Sequence, residues 1–283
     1  MKKISASLDF DSQTDGSVLL EVAVQNEPIL FGLWAFEVRF RGKILQPADQ
    51  WTKTCEHKEK GCTYLEIDMP FTGDYRLQRS LLVNHKDNML LLCDALLADD
   101  GQHTKGVLTY QTALYVSPKL RAKTSEKATE IEFRPTARIP APPFRVLPLA
   151  LPEWKSVMPT GLVNGTLTET EGTLILRQES NGRSLFAPLL FDLDADRLGK
   201  RYTWRCLSVG EKLRRVQEDQ AVGYRIQLGT EQFLLYRSLT PKAGRTLLGH
   251  NLFDDFCFAR FEPESGVEPL IAVEVVDTEP CQV

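Results

Sequence analysis

Three consecutive patterns between residues 74 and 117 constrain the fold of this chain more than any other feature. Asp74–His85 alternates apolar and polar side chains, Asn88–Ala98 is apolar almost throughout, and Gly106–Ser117 alternates again. A two-residue period is typical of a strand with one buried face, and a short apolar run between turns suits a strand that is buried on both faces. The pattern therefore predicts an antiparallel meander whose middle strand lies inside a sheet.

Two segments also admit a helical interpretation. The apolar residues of Met89–Leu97 satisfy the i, i+3, i+4, i+7 spacing of a buried helix, although the alternation on both sides favours a strand. In Ser208–Gln217, Ser208 and Glu211 fit a helix-capping box, but only two apolar side chains support a helical face. Both helices are left as alternatives.

The rest of the chain repeats short extended patterns at intervals of roughly 8–12 residues, with almost no helical period. The clearest of them is Ala221–Leu239, where two alternating runs flank a turn at Gly229-Thr230. We therefore predict an all-β protein that forms a large antiparallel β-sandwich of the supersandwich type, with little helix.

Proline marks the best candidate boundary within the chain. Residues 135–159 contain seven of the sixteen prolines, and proline lacks the N–H that a sheet ladder needs. Apolar side chains such as Phe144 and Trp154 indicate that this irregular segment packs on a sheet. We predict β-sandwich halves at 1–134 and 160–283, joined by this connection into one continuous domain.

Composition argues against several classes of partner. The net charge of -4 and pI of about 5.7 do not fit a nucleic-acid-binding surface. No apolar run approaches the ~20 residues that span a bilayer, and Met1–Asp15 lacks the apolar core of a secretion signal. Six cysteines are too few for a disulfide scaffold at this length. We expect a cytoplasmic protein with no nucleic acid or membrane partner.

Potential metal ligands occur in two groups, and both are incomplete. Cys55, His57 and Cys62 offer three zinc ligands without a second cluster to complete a tetrahedral set. Asp192–Asp196 begins like a calcium loop but lacks the glycine and the glutamate that should follow. Because the common catalytic motifs are also missing, we predict no metal, no cofactor and no catalytic residue.

Asp94 is the most unusual charge, because it interrupts the apolar run of the predicted middle strand. An unpaired carboxylate buried there would cost several kcal/mol. Asp94 therefore either pairs with Arg76, Arg79 or a residue of the second half, or lies at a strand end that is open to solvent. We favour the structural pair and keep Asp94 as a candidate ligand contact.

Arginines and aromatic residues alternate along the second half of the chain. Neighbouring side chains of a strand point to opposite faces, so one face could present them in rows. Aromatic rings stack on sugars and arginine forks bind carboxylates, which together suit an acidic glycan. Cross-strand aromatic pairs and Arg–Asp pairs within a sheet are the alternative. The candidate contacts are Trp204, Arg205, Tyr224, Arg225, Tyr236 and Arg237.

Two longer blocks resemble known sequences. The runs RLQRSLLVNHKDNMLLLCDALLADD and HTKGVLTYQTALYV resemble the β-sandwich region of heparinase II/III-type polysaccharide lyases, over Leu30–Val116. Later blocks, including LFAPLLFDLDADR and YTWRCLSV, resemble uncharacterised proteins of planctomycete bacteria. The resemblance implies stacked antiparallel sheets. Such lyases also need a helical toroid and a Tyr or His base, and neither is matched here.

Three functional hypotheses follow from these patterns. The first is a non-catalytic β-sandwich protein with a structural or ligand-binding role, whose ligand would be an acidic polysaccharide. The alternative is a carbohydrate-active enzyme, lyase-like or mutarotase-like, with its site on a concave sheet face. A third is a subunit whose exposed sheet edges pair with a partner chain.

Overall fold

A computed structural model of the chain describes residues 3–11, 17–59, 61–98, 106–136, 141–157, 163–241, 244–262 and 266–273. The first strands are β1 (Ile4–Asp9), β2 (Leu19–Val24), β3 (Glu27–Leu30), β4 (Ala35–Phe40), β5 (Lys43–Ile44), β6 (Thr52–Glu59), β7 (Cys62–Phe71) and β8 (Tyr75–Asn84). They are followed by β9 (Met89–Ala98), β10 (Gly106–Tyr115), β11 (Leu120–Thr124), β12 (Ile131–Pro135), β13 (Phe144–Pro148), β14 (Val163–Thr170), β15 (Thr173–Gly182) and β16 (Leu185–Asp192). The last are β17 (Tyr202–Leu207), β18 (Gly210–Glu211), β19 (Arg214–Arg215), β20 (Ala221–Leu228), β21 (Glu231–Ser238), β22 (Arg245–Leu247), β23 (His250–Leu252), β24 (Phe256–Glu262) and β25 (Gly266–Val273).

These strands form five antiparallel sheets. The N-terminal sheet has the order β1-β2-β3, and the front sheet has the order β14-β15-β10-β4-β5. The central sheet contains eight strands in the order β11-β12-β13-β16-β9-β8-β7-β6. The back sheet is β17-β20-β21-β24-β25, and the small sheet is β19-β18-β22-β23. A single-turn 3-10 helix, Ala195–Arg197, is the one helical element of the described residues, so the all-β prediction is confirmed.

The sheets stack in layers with three apolar cores between them. The first core lies between the central sheet and the front and N-terminal sheets. The second core joins the other face of the central sheet to the back sheet. A smaller third core lies between the back sheet and the small sheet. Apolar area removed from water is the main stabilising contribution in such a stack.

Strand β9 shows why the predicted middle strand is apolar throughout. Leu90 and Leu92 point into the first core, whereas Leu91 and Cys93 point into the second. Both faces are buried because the front and N-terminal sheets cover one face and the back sheet covers the other. Strands β8 and β16 pair with the two edges of β9. The helical alternative for Met89–Leu97 is therefore wrong: the apolar spacing that suited a helix reflects a strand buried on both faces.

The second helical alternative is also wrong. Ser208–Gln217 contains the hairpin β18–β19, whose two-residue turn is Lys212-Leu213. Both turn residues have positive φ, 48° and 63°. This conformation matches the twist of a tight hairpin but is unusual without glycine or asparagine.

The proline-rich segment is more regular than predicted. Phe144–Pro148 forms β13, which lies in the central sheet between β12 and β16. The strand tolerates Pro148 because this proline is its last residue. Residues 137–140 and 158–159 of the segment lie outside the described residues, and the division into two halves stays a prediction. No helix in the described part of the chain is long and apolar enough to cross a membrane.

Candidate functional site

A pocket of about 440 Å³ lies where the proline-rich segment crosses the edge of the back sheet. One wall is the chain that follows β13, and the other is the edge strand β17 with residues from its neighbours. The lining residues are Leu149, Ala150, Leu151, Pro152, Glu153, Trp154, Val157, Val163, Trp204, Arg205, Cys206, Glu218 and Tyr224.

Two side-chain hydrogen bonds hold the proline-rich wall against β17. The Trp204 indole N–H donates to the Leu151 carbonyl oxygen at 2.8 Å. The Thr203 hydroxyl donates to the Glu153 carboxylate at 2.6 Å. Because both bonds join residues about fifty positions apart, they fix the shape of the pocket without a local turn. The pocket is therefore preorganised, which lowers the entropic cost of binding.

Trp154 presents an aromatic surface at this pocket. Its backbone is held by an isolated bridge to Ala128 and by the bond from Lys155 N–H to the Lys127 carbonyl. The side chain nevertheless remains 47% exposed. A large ring left in water on a fixed backbone is a surface on which an apolar ligand face can stack.

The charges of the pocket are unevenly compensated. Glu153 accepts a hydrogen bond from Thr203, and Glu218 forms an ion pair with Arg215 at 3.6 Å. Arg205 has no hydrogen bond or ion pair with any residue that the structure describes. Its cross-strand partner in the back sheet is Arg225. Arg205 is therefore a cation that no described carboxylate contacts directly.

Arg225 is a second cation beside the pocket whose partner among the described residues is neutral. Its Nε and Nη2 donate to the Gln232 side-chain oxygen, at 3.0 Å and 2.5 Å. Directly opposite residues of an antiparallel pair have Cβ atoms about 4.5–5.5 Å apart, and like charges there destabilise the sheet. Arg205 and Arg225 thus form an exposed double cation, which an anionic ligand would stabilise.

Tyr224 forms part of the pocket floor. Burial raises the pKa of its phenol well above the ordinary value, and Cys206 acts in the same direction. The phenol is therefore neutral near pH 7 and cannot serve there as a base.

The structure separates the predicted aromatic and arginine contacts. Trp204, Arg205 and Tyr224 line the pocket, and Arg225 lies beside it. Tyr236 and Arg237, the other two predicted contacts, are buried outside the pocket lining. The ligand-binding role of all six residues stays a prediction.

Arg237 and Tyr236 are enclosed by the sheets. Arg237 points into the space between the back and central sheets, where its Nη1 donates to the Glu66 carboxylate at 3.1 Å and its Nη2 to the Gln78 oxygen. Tyr236 points the other way and packs in the third core. Neither side chain reaches the pocket lining.

Asp94 lies in the first core and is 2% exposed. Arg79, which is fully buried, donates to it through Nε at 2.8 Å and Nη2 at 2.9 Å. Tyr110 donates a third hydrogen bond, and burial raises the pKa of this phenol well above its ordinary value. Arg79 also donates to the Trp34 carbonyl and lies 4.0 Å from the Trp34 ring. Asp94 thus forms the structural pair that the sequence favoured.

The incomplete metal groups do not assemble in the described part of the chain. Cys55 and Cys62 are buried and form no disulfide, and they lie opposite Glu66 and Glu59 rather than each other. Asp192 is paired with the Arg197 guanidinium at 2.6 Å. No group of three or more potential ligands occurs among the described residues.

Sequence reasoning missed Glu153, Trp154 and Glu218 as pocket residues. The sequence signal that could have indicated them is a carboxylate next to an aromatic residue, Glu153-Trp154, within the proline-rich connection. The contact itself depends on where the connection crosses β17, and no local pattern specifies that crossing.

Comparisons with known proteins give distant structural similarity. No protein-family model matches the chain, and no curated protein matches it. The chain has a weak structural resemblance to the heparan sulfate lyase HepC from Pedobacter heparinus, with a TM-score of 0.48 and 11% identity over 78% of this chain and 36% of that one. It has a similarly weak structural resemblance to the heparinase III BT4657 gene product, with a TM-score of 0.47 and 9% identity over 84% of this chain and 42% of that one. The chain therefore spans less than half the length of both proteins.

Proposed function

We propose that this protein is a non-catalytic β-sandwich protein whose pocket at β17 binds an acidic oligosaccharide. The observation that carries the proposal is the double cation of Arg205 and Arg225 beside the pocket. Two guanidinium groups on neighbouring strands can donate bidentate hydrogen bonds to a carboxylate or sulfate group. They also relieve their mutual repulsion when the anion binds.

The acidic residues of the pocket leave Arg205 accessible. Glu153 accepts a hydrogen bond from Thr203, and Glu218 forms an ion pair with Arg215. Among the described residues, neither carboxylate forms an ion pair with Arg205. An anionic ligand can therefore contact both guanidinium groups directly, although Glu153 keeps its negative charge and the protein as a whole has a net charge of -4.

Trp154 supplies the apolar half of the binding surface. Sugar rings have one face of C–H groups, and an exposed indole removes that face from water. The hydroxyl groups of the same sugar can donate further hydrogen bonds to the carboxylates of Glu153 and Glu218, which line the same pocket. Stacking and charge recognition are thus available to a single saccharide.

Calorimetric titration with uronate-containing oligosaccharides tests the proposal. We expect Arg205→Ala and Trp154→Ala each to weaken binding by about tenfold, since a charge-assisted hydrogen bond or a buried ring face contributes about 1.5 kcal/mol or more. Arg121→Ala, at an exposed arginine of β11, and Phe253→Ala, at an exposed ring, are the matched controls.

Salt and ligand charge separate this function from non-specific stacking. Binding should weaken between about 0.1 M salt and about 1 M salt, where the Debye length falls from about 10 Å to about 3 Å. A neutral oligosaccharide of equal length should bind much less tightly. Equal binding of the neutral ligand, or full binding by Arg205→Ala, would remove the acidic glycan from the proposal.

One observation favours the enzymatic alternative: two carboxylates, Glu153 and Glu218, line one pocket, and carboxylate pairs perform glycoside chemistry. Against it, both carboxylates are engaged, and the one lining phenol, Tyr224, has a raised pKa. The same oligosaccharides can be followed for new reducing ends without absorbance, which hydrolysis releases, and for the absorbance of an unsaturated uronate, which elimination releases. Either product, if it disappears in Glu153→Gln, would establish an enzyme and refute the non-catalytic assignment.

A further inference from the structure

Strand β14 is a free edge of the front sheet. It spans Val163–Thr170 and, among the described residues, pairs only with β15, in a register without a bulge. Asn164, Thr166 and Thr168 on its outer face are exposed. A long, regular edge with unpaired backbone groups is a template on which another strand can pair.

The other long edges of the described sheets carry features that hinder pairing. Strand β6 contains Lys53 and Lys58 and a register shift, and β25 contains Pro269 and a register shift. Strand β11 has Arg121 and Lys123 within five residues.

Two further edges differ from β14 in other ways. Strand β17 is covered by the proline-rich wall of the pocket, and β1 has only six residues and ends at Asp9. Natural proteins use positive charge, proline, bulges, short strands and covering chain to prevent edge association. In contrast, β14 has eight residues and none of these features.

The backbone of β14 is oriented for a second strand. The Gly165 N–H points away from β15 and donates to the Asn164 side-chain oxygen at 2.8 Å, a local bond that an incoming strand would replace. In an antiparallel strand, alternate residues direct their backbone groups to opposite sides. The odd-numbered residues Gly165, Leu167 and Glu169 therefore present backbone groups at the free edge.

We propose that β14 pairs antiparallel with β14 of a second copy of this chain. With the two-fold axis at Leu167, the odd-numbered residues meet: Leu167 lies opposite Leu167 of the second copy, and Gly165 lies opposite its Glu169. On the outer face, Thr166 lies opposite Thr168, a favourable hydroxyl pair. The register brings no like charges together. The strand is complementary to its own symmetry copy, as a two-fold interface requires.

This pairing joins the two five-stranded front sheets into one continuous sheet of ten strands. Backbone hydrogen bonds supply most of the contact, so the interface is small and the dimer depends on concentration. The inference is independent of glycan binding.

Sedimentation velocity of the full chain over a wide concentration range tests the proposal. The unmodified protein should change from monomer to dimer as its concentration rises. The double variant Thr166→Lys/Thr168→Lys places positive charges opposite each other twice and should weaken dimerisation by at least about tenfold. The double variant Thr166→Glu/Thr168→Glu should do the same with negative charges.

Mixing the two double variants is the decisive step. Opposite charges then face each other across the same register, so a mixed dimer should form although neither variant dimerises alone. Ser5→Lys/Ser7→Lys, at exposed positions of the β1 edge, is the matched control and should leave dimerisation unchanged. A monomer at every concentration, a dimer that is indifferent to the lysines at β14, or no mixed dimer would each overturn the proposal.

Discussion

Removing the buried carboxylate of Asp94 should lower the free energy of unfolding more than removing any exposed charge would. In Asp94→Leu, the guanidinium of Arg79 keeps its place in the first core, where it is fully buried, and loses both hydrogen bonds of 2.8 Å and 2.9 Å. Breaking one side of a buried ion pair costs about 3–5 kcal/mol, because an uncompensated charge is left behind. A folded domain has only about 5–15 kcal/mol of stability in total.

The double variant Arg79→Met/Asp94→Leu separates the charge effect from the loss of packing. It removes both charges, so the remaining cost is about 1 kcal/mol for each unsatisfied group, the Trp34 carbonyl and the Tyr110 hydroxyl. We therefore expect the double variant to be about 2 kcal/mol more stable than Asp94→Leu. This ranking is unusual, because a second substitution in a core normally adds damage.

Urea unfolding measures these differences directly. Glu37→Gln, which breaks the exposed pair with Arg39, is the control and should change the free energy of unfolding by no more than about 1 kcal/mol. If Asp94→Leu fails to fold while the double variant folds, the ranking is the same. A double variant that is less stable than Asp94→Leu would refute the reasoning.

Three further predictions concern buried groups. Burial raises the pKa of Asp68 above its usual 3.8, so the stability cost of its ionisation grows as the pH rises from about 3.8 and is complete above the raised pKa. Asp68→Asn should therefore raise the urea midpoint near pH 7 but not below about pH 3.8. Burial raises the pKa of Cys62 to about 11, so its thiol should react with a disulfide reagent near pH 8 only after unfolding, and labelling of the native protein would contradict this. A Cβ at Gly223 would lie 2.6 Å from Leu247; Gly223→Ala should lower the melting temperature by several degrees, whereas Gly199→Ala, with open space around it, should not.

The meander was predictable because burial of each face leaves a direct pattern in the sequence. Strand β10 alternates because only one of its faces meets a core, and β9 is apolar since both its faces meet a core. Strand β8 also alternates, but the prediction of one exposed face is wrong for it, because its polar side chains Gln78, Ser80 and Asn84 are buried as well. The same argument anticipated a partner for Asp94, because an isolated buried carboxylate is too costly. The argument left three candidates for that partner: Arg76, Arg79 or a residue of the second half. Only the register of β8 against β9 selects Arg79.

The inward position of Arg237 could be predicted in part from the sequence. Alternation along β21 places Arg237 on the same face as Phe233 and Leu235, which are core residues. Its partner Glu66 is 171 positions away in the sequence, and no period connects two residues at such a distance. The pocket could not be predicted from the sequence for the same reason, since its two walls meet only after the sheets have stacked.

The position of β16 constrains the order of folding during synthesis. This strand, Leu185–Asp192, lies between β9 and β13, both of which precede it in the chain. Until the ribosome has released Asp192, the central sheet lacks this strand, and the leucine-rich strand β9 has an unpaired edge. We expect the nascent polypeptide to require protection by chaperones up to that point, and to become resistant to proteases soon after it.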